Sequence, residues 1–141
     1  RRGGFQNKGA SGFEIEENPF GEGAERLAYR FFEISWQQGQ WKRVGGLMVA
    51  KESNKIQTDD ETRKELFHET FCKVQLKAYE LAGEFNKTVK KTPALRPIEG
   101  EVCFPPPIHF LKCYVYEYEK NNKKCGYLVE NYLKGKFTKY S

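Results

Sequence analysis

Between Leu27 and Trp36 the run LAYRFFEISW puts aromatic and branched residues on both faces of an extended chain, which is the chemistry of a largely buried β-strand. QQGQWKR, polar and glycine-containing, predicts a turn. VGGLMVAKE predicts a second strand that stays apolar as far as Lys51. The rhythm then changes. Phe67, Phe71, Val74, Ala78, Leu81 and Phe85 recur at steps of three and four, predicting a helix with one apolar, core-facing side. Ahead of it, Thr58 and Glu61 have capping-box spacing, and Asp59 and Asp60 suit the positive end of a helix. NKTVKKTPALRPIEGE predicts a loop. Past the prolines of VCFPPPIHF, Phe110, Lys112, Tyr114, Tyr116 and Tyr118 alternate with Leu111, Cys113, Val115, Glu117 and Glu119, the pattern of a half-exposed strand. KNNKKCG then predicts a hairpin turn and YLVENYL a returning strand. The leading RRGGFQNKGASG has no such rhythm, and residues 1–17 read as a flexible linker. The fold class expected is α+β, a twisted antiparallel sheet packed against one long helix.

Composition supports a single folded domain. The chain has 141 residues, enough for one buried core, and its 38% hydrophobic and 15% aromatic content excludes the disordered class for most of the length. No apolar run approaches the roughly 20 residues of a membrane helix, and the N-terminus lacks the apolar core of a signal peptide. Cys72, Cys103, Cys113 and Cys125 form no C-x-x-C pair and have only His68 and His109 to assist them, a poor zinc pattern. Reduced core thiols in a cytoplasmic protein are the expectation. The formal charge of +5 is uneven. Residues 1–86 sum to −1 and residues 87–141 to +6. A basic surplus of that kind suits phosphate groups, or else is solvated lysine on a sheet surface. The alternating tyrosines are explained by sheet packing, which leaves little reason to expect a nucleic-acid partner.

Four local features carry nucleotide chemistry or a plainer alternative. Gly21-Glu22-Gly23 precedes the first strong strand, where glycines let backbone N–H groups approach phosphate oxygens; a strand-connecting turn needs the same residues. Arg26 follows three residues later and can fork onto phosphate. Lys51 ends an apolar strand, so it either reaches water along its stem or lies in a cleft with a negative partner. Glu130 stands where a buried strand passes into a polar, glycine-containing segment, as a hinge beside an adenine pocket does. The order is glycine loop, strand, strand with lysine, helix, sheet and hinge, the layout of a kinase N-terminal lobe. There is no G-x-x-x-x-G-K-[ST], and the glycines precede no helix, which excludes P-loop and dinucleotide folds. Arg26 also stands where protein kinases carry a third glycine.

With that arginine, PFGEGAERLAYR, MVAK, EFNK and LVENYLKGKFTKY together resemble the alpha-kinases, the atypical protein kinase family that includes elongation-factor-two kinase and the myosin heavy chain kinases. The resemblance covers Asn18 to Ser141 and implies a nucleotide-binding N-terminal lobe over residues 18–141. It implies ATP as ligand, with Gly21 and Gly23 in the phosphate loop and Arg26 and Lys51 on the phosphates. Glu130 and Leu133 are implied to meet adenine through main-chain groups, and Lys139 to lie beside the nucleotide. The family usually has asparagine after Tyr140, where this chain has Ser141. The resemblance assigns magnesium-binding and catalytic aspartates, a second glycine-rich loop and a structural zinc site to a C-terminal lobe. The aspartates here, Asp59 and Asp60, are already accounted for by capping. Serine/threonine phosphorylation of a protein substrate is therefore expected only together with that lobe, this stretch being inactive alone. The other expectation is a non-catalytic, kinase-derived interaction domain in a larger assembly.

Overall fold

The computed structural model describes residues 4–54, 61–92, 107–136 and 138. Thr58, Asp59 and Asp60 of the expected helix cap, and Cys103, Lys139, Tyr140 and Ser141, lie outside the described residues. In chain order the elements are β1 (Gly12–Ile15), β2 (Gly21–Glu22), β3 (Arg26–Gln37), β4 (Gln40–Ser53), α1 (Glu61–Lys91), β5 (Cys113–Lys120) and β6 (Lys123–Asn131). The strands form one sheet in the order β1-β3-β4-β6-β5, every pairing antiparallel, with β2 joining β3 farther along the edge that β1 occupies.

Turn chemistry sets the two long hairpins. Gln38 and Gly39 sit at φ 50° and 78°, and Asn121 and Asn122 at 52° and 61°. Positive φ at both central residues twists the loop in the sense that antiparallel strands need. The turn expected over QQGQWKR therefore shrinks to two residues, and strand pairing continues to Gln37 and Gln40. Beside it Trp36 and Trp41 meet edge to face at 5.3 Å between centroids.

Alternation gives the sheet two different faces. On one, Phe31, Met48, Ala50, Tyr116 and Val129 form the buried core, with Phe13, Ile15, Tyr29, Tyr114 and Tyr127 packed around them. Phe13 on β1 stacks on Phe31 at 4.9 Å and also meets Tyr116 and Tyr118 on β5 at 6.1 and 5.7 Å. The two edge strands thus touch through their aromatic rings, so the sheet curls around this core.

The leading segment, expected as a linker, supplies β1 and a docked turn ahead of it. The reason lies in Glu33, which is fully buried. Its carboxylate accepts the Gln6 N–H (2.9 Å), the Asn7 N–H (2.9 Å) and the Asn7 Nδ2 amide (2.7 Å). A buried carboxylate requires such donors. Gly45, at φ 75°, lies in the β3–β4 irregularity, where any Cβ would collide with the Asn7 side chain.

α1 packs on the opposite face, against β6 and β5. Its contact side keeps only part of the predicted apolar stripe, with Phe67 and Phe71 reaching the sheet at Arg26. His68, Ala82 and Val89 are buried, while Val74, Leu81 and Phe85 remain on an exposed flank. Polar bonding turns the helix this way. Gln75 Nε2 donates to the Leu111 carbonyl (3.0 Å), Asn86 Nδ2 donates to the Ile108 carbonyl (2.7 Å), and Ile108 N–H donates back to Asn86 Oδ1 (2.9 Å). Lys90 and Lys91 in the last turn complement the helix dipole.

Candidate nucleotide site

Strand register assembles the site. Gly21 pairs with Ala28, Ala28 with Lys51, and Lys51 with Leu128, a row crossing β2, β3, β4 and β6. Directly paired residues share a face, so Lys51 projects on the side that carries α1. Val49 pairs with Glu130 on the same face, which sets Glu130 diagonally next to Lys51. Their side chains form an ion pair between Nζ and Oε1. Lys51 keeps 28% of its side chain exposed and Glu130 only 11%. The lysine therefore has the negative partner that a half-buried ammonium requires.

Arg26 opens β3 on this face. Its guanidinium lies over the Phe71 ring at 3.8 Å and the Phe67 ring at 4.6 Å, both on α1. Burial holds its pKa below the ordinary arginine value, while the charges of Glu130 and Glu25 act in the opposite direction. The arginine expected on phosphate thus ties the start of β3 to the helix through cation–π contacts.

The glycine stretch is a tight hairpin. Gly23 N–H donates to the Arg26 carbonyl (2.8 Å). The end of β4 braces the turn, with Asn54 Nδ2 donating to the Gly23 carbonyl (3.0 Å) and Asn54 N–H to the Glu25 carbonyl (3.1 Å). Neither Gly21 nor Gly23 has a positive φ, and a Cβ on either would meet nothing closer than 3.8 Å. The backbone does not itself demand glycine at these two positions.

After β6 the chain turns away from the sheet. Tyr132 N–H donates to the Leu47 carbonyl (3.3 Å), Leu133 is exposed, and Gly135 adopts φ 117°. Lys139 lies outside the described residues. Two aromatic residues that sequence reasoning does not single out meet here. Phe20, just before the glycines, contacts the Tyr132 ring at 6.2 Å, and the Arg30 guanidinium lies over Phe20 at 4.9 Å. Their signal in the sequence is only adjacency, Phe20 to Gly21 and Tyr132 to Leu133. The structure accordingly joins Lys51 to Glu130, sets Arg26 beside them against α1, aligns Gly21 with Lys51, and leaves Leu133 in the segment beyond. Among the described residues no group of three or more His, Cys, Asp or Glu side chains is placed to hold a metal ion. Nor is any described helix long and apolar enough to cross a membrane.

A curled antiparallel sheet with a lysine–carboxylate pair in line with a glycine turn, and one long helix on that same face, is an α+β lobe of the kinase N-terminal type. The alpha-kinase family model matches residues 21–141, and the chain belongs to this family of protein kinases. No curated protein matches the chain.

Proposed function

We propose that residues 18–141 form the ATP-binding lobe of an alpha-type serine/threonine protein kinase, which phosphorylates a protein substrate in the cytoplasm together with a C-terminal lobe. The observation that carries the reading is the Lys51–Glu130 pair in register with Gly21. Gly21 and Gly23 are glycines that the fold itself does not need, which supports close approach by something other than the chain. When bound, ATP supplies the phosphoryl group and a run of anionic oxygens. Lys51, oriented by Glu130, offers its ammonium to those oxygens. With no side chain at Gly21 or Gly23, the backbone of the turn can lie close to those oxygens. Arg26 contributes charge from the start of β3, where it lies against α1, and Lys139 belongs to the basic C-terminal end of the chain. The main chain of Glu130 and Leu133 provides donor and acceptor groups for a planar base. This reading assigns the magnesium ligands to the C-terminal lobe.

The test is thermal unfolding of the chain with and without ATP. At ATP about tenfold above Kd, mass action stabilises by roughly 1.4 kcal/mol, a melting shift of roughly 3–6 °C. Lys51→Ala and Gly23→Val are expected to abolish the shift while leaving a cooperative melt. Absence of any shift in the wild-type chain at about 5 mM ATP overturns nucleotide binding by this lobe. The flank of Val74, Leu81 and Phe85, exposed by 64, 51 and 42%, favours a second reading as a kinase-derived interaction domain in a larger assembly. That reading expects no ATP shift and loss of partner binding on Leu81→Glu.

A further inference from the structure

Cys72 on α1 and Cys113 at the start of β5 face each other across the seam between helix and sheet. Cys72 Sγ–H donates to the Cys113 carbonyl (3.3 Å), and Cys113 Sγ–H points back to the Cys72 carbonyl at 4.0 Å. Each sulfur thus lies beside the other residue's backbone, although 41 positions separate the two along the chain. Both are reduced and only partly buried. Both also line a cavity of about 580 Å³, shared with Phe5, Phe13 and Tyr116, that opens to solvent at the edge of β5. A small oxidant can reach the thiols through that cavity.

We propose that Cys72 and Cys113 form an oxidisable dithiol that takes a hydroperoxide and closes into a disulfide joining α1 to β5. The chemistry balances with peroxide as the oxidant. The thiolate of one cysteine attacks a peroxide oxygen, the O–O bond breaks, and a sulfenic acid forms as hydroxide leaves and takes up a proton. The second sulfur attacks the sulfenic sulfur, and the S–O bond breaks with loss of water. Two thiols lose two electrons in total and one hydrogen peroxide becomes two waters. Cys113 is the resolving sulfur. Burial, and then the neighbouring Cys72 thiol, push its pKa from the ordinary 9.0 up to about 12, so it holds its proton more tightly than an ordinary thiol and is the poorer first nucleophile. Cys113 pairs directly with Glu130 across β5 and β6, so the bridge fixes the helix one strand away from the Lys51–Glu130 pair. Disulfide formation itself stands whether or not that pair meets a nucleotide.

Trypsin isolates each cysteine in its own peptide, residues 65–73 and 113–120, because Lys64, Lys73, Lys112 and Lys120 flank them. The chain is treated with hydrogen peroxide near pH 8, alkylated, digested without reductant and mapped by mass spectrometry. The expected product is peptide 65–73 joined to 113–120 within one chain, released by dithiothreitol. Cys125→Ser retains it, and Cys72→Ser or Cys113→Ser removes it. The oxidised wild-type chain is expected to melt roughly 5–15 °C higher, reversibly with reductant. Cys72 over-oxidised to sulfinic acid without a bridge overturns the proposal, as does a bridge from either peptide to Cys103 or Cys125. Peptide mapping of the wild-type chain decides the matter even if a serine variant misfolds.

Discussion

Replacing Lys51 by methionine keeps most of the stem and removes the charge from an ion pair whose carboxylate is almost sealed from water. Glu130 is 8% exposed as a residue, whereas a quarter or more of the Lys51 side chain reaches solvent. Breaking a fully buried pair by deleting one partner costs about 3–5 kcal/mol, and water at Lys51 discounts this to about 2–3 kcal/mol. The reverse change, Glu130→Gln, is expected to cost less, about 1–2 kcal/mol, because a lysine released from its partner can carry its ammonium along a flexible stem to water. A carboxylate on a short stem in mid-strand has no such escape. The double variant should therefore lose about 1–2 kcal/mol less than the sum of the singles. Urea unfolding at neutral pH measures all three, with an unchanged m-value as the check that the unfolded state is the same. Singles within about 0.5 kcal/mol of wild type, or a strictly additive double, would show that the pair carries no structural energy. Glu130→Gln costing more than Lys51→Met would refute the argument from unequal burial.

Two further outcomes rest on the opposite face. Glu33→Gln leaves one of three donors from Gln6 and Asn7 facing an amide N–H instead of an oxygen, and should cost about 1.5–3 kcal/mol; removing residues 1–7 should cost a similar amount, and combining the two should add little, so full additivity in urea titrations would contradict docking of the leading segment. Tyr116 and Tyr118 both hold their protons above the ordinary tyrosine range, chiefly through burial, with Glu33 adding to the first and the Tyr127 hydroxyl to the second, and Cys113 is raised to about 12. Folding favours the protonated form of all three, so their contribution is complete below the unfolded pKa values and is lost as pH climbs through the folded ones. Stability should fall from about pH 9 upward, by at most about 1.4 kcal/mol per pH unit for each group, and Tyr118→Phe should flatten the decline; a level urea midpoint from pH 8 to pH 11 would rule this out.

The strands β3 and β4 and the existence of α1 can be read in the sequence because their signals are local, alternation in one case and steps of three and four in the other. Strand β1 cannot. GFEI looks like any short polar-flanked segment, and its neighbourhood is anchored by Glu33, far along the chain. The facing of α1 is also hidden, since Gln75 and Asn86 read as solvent positions until the backbone of residues 108–111 is beside them to accept and donate. Lys51 announces that it needs an anion, but not which one. Only the pairing of β4 with β6 selects Glu130, and that pairing answers to both faces of the sheet at once. Pairing Ala50 with Val129 and Met48 with Asn131 seats Met48 and Val129 in the aromatic core. The same register brings Glu130 to Lys51 on the reverse side. A slip of one residue would carry Glu130 into contact with Phe31 and Tyr116 and turn Val129 toward α1. Core and candidate site are therefore set by a single register, and a slip that displaced one would displace the other.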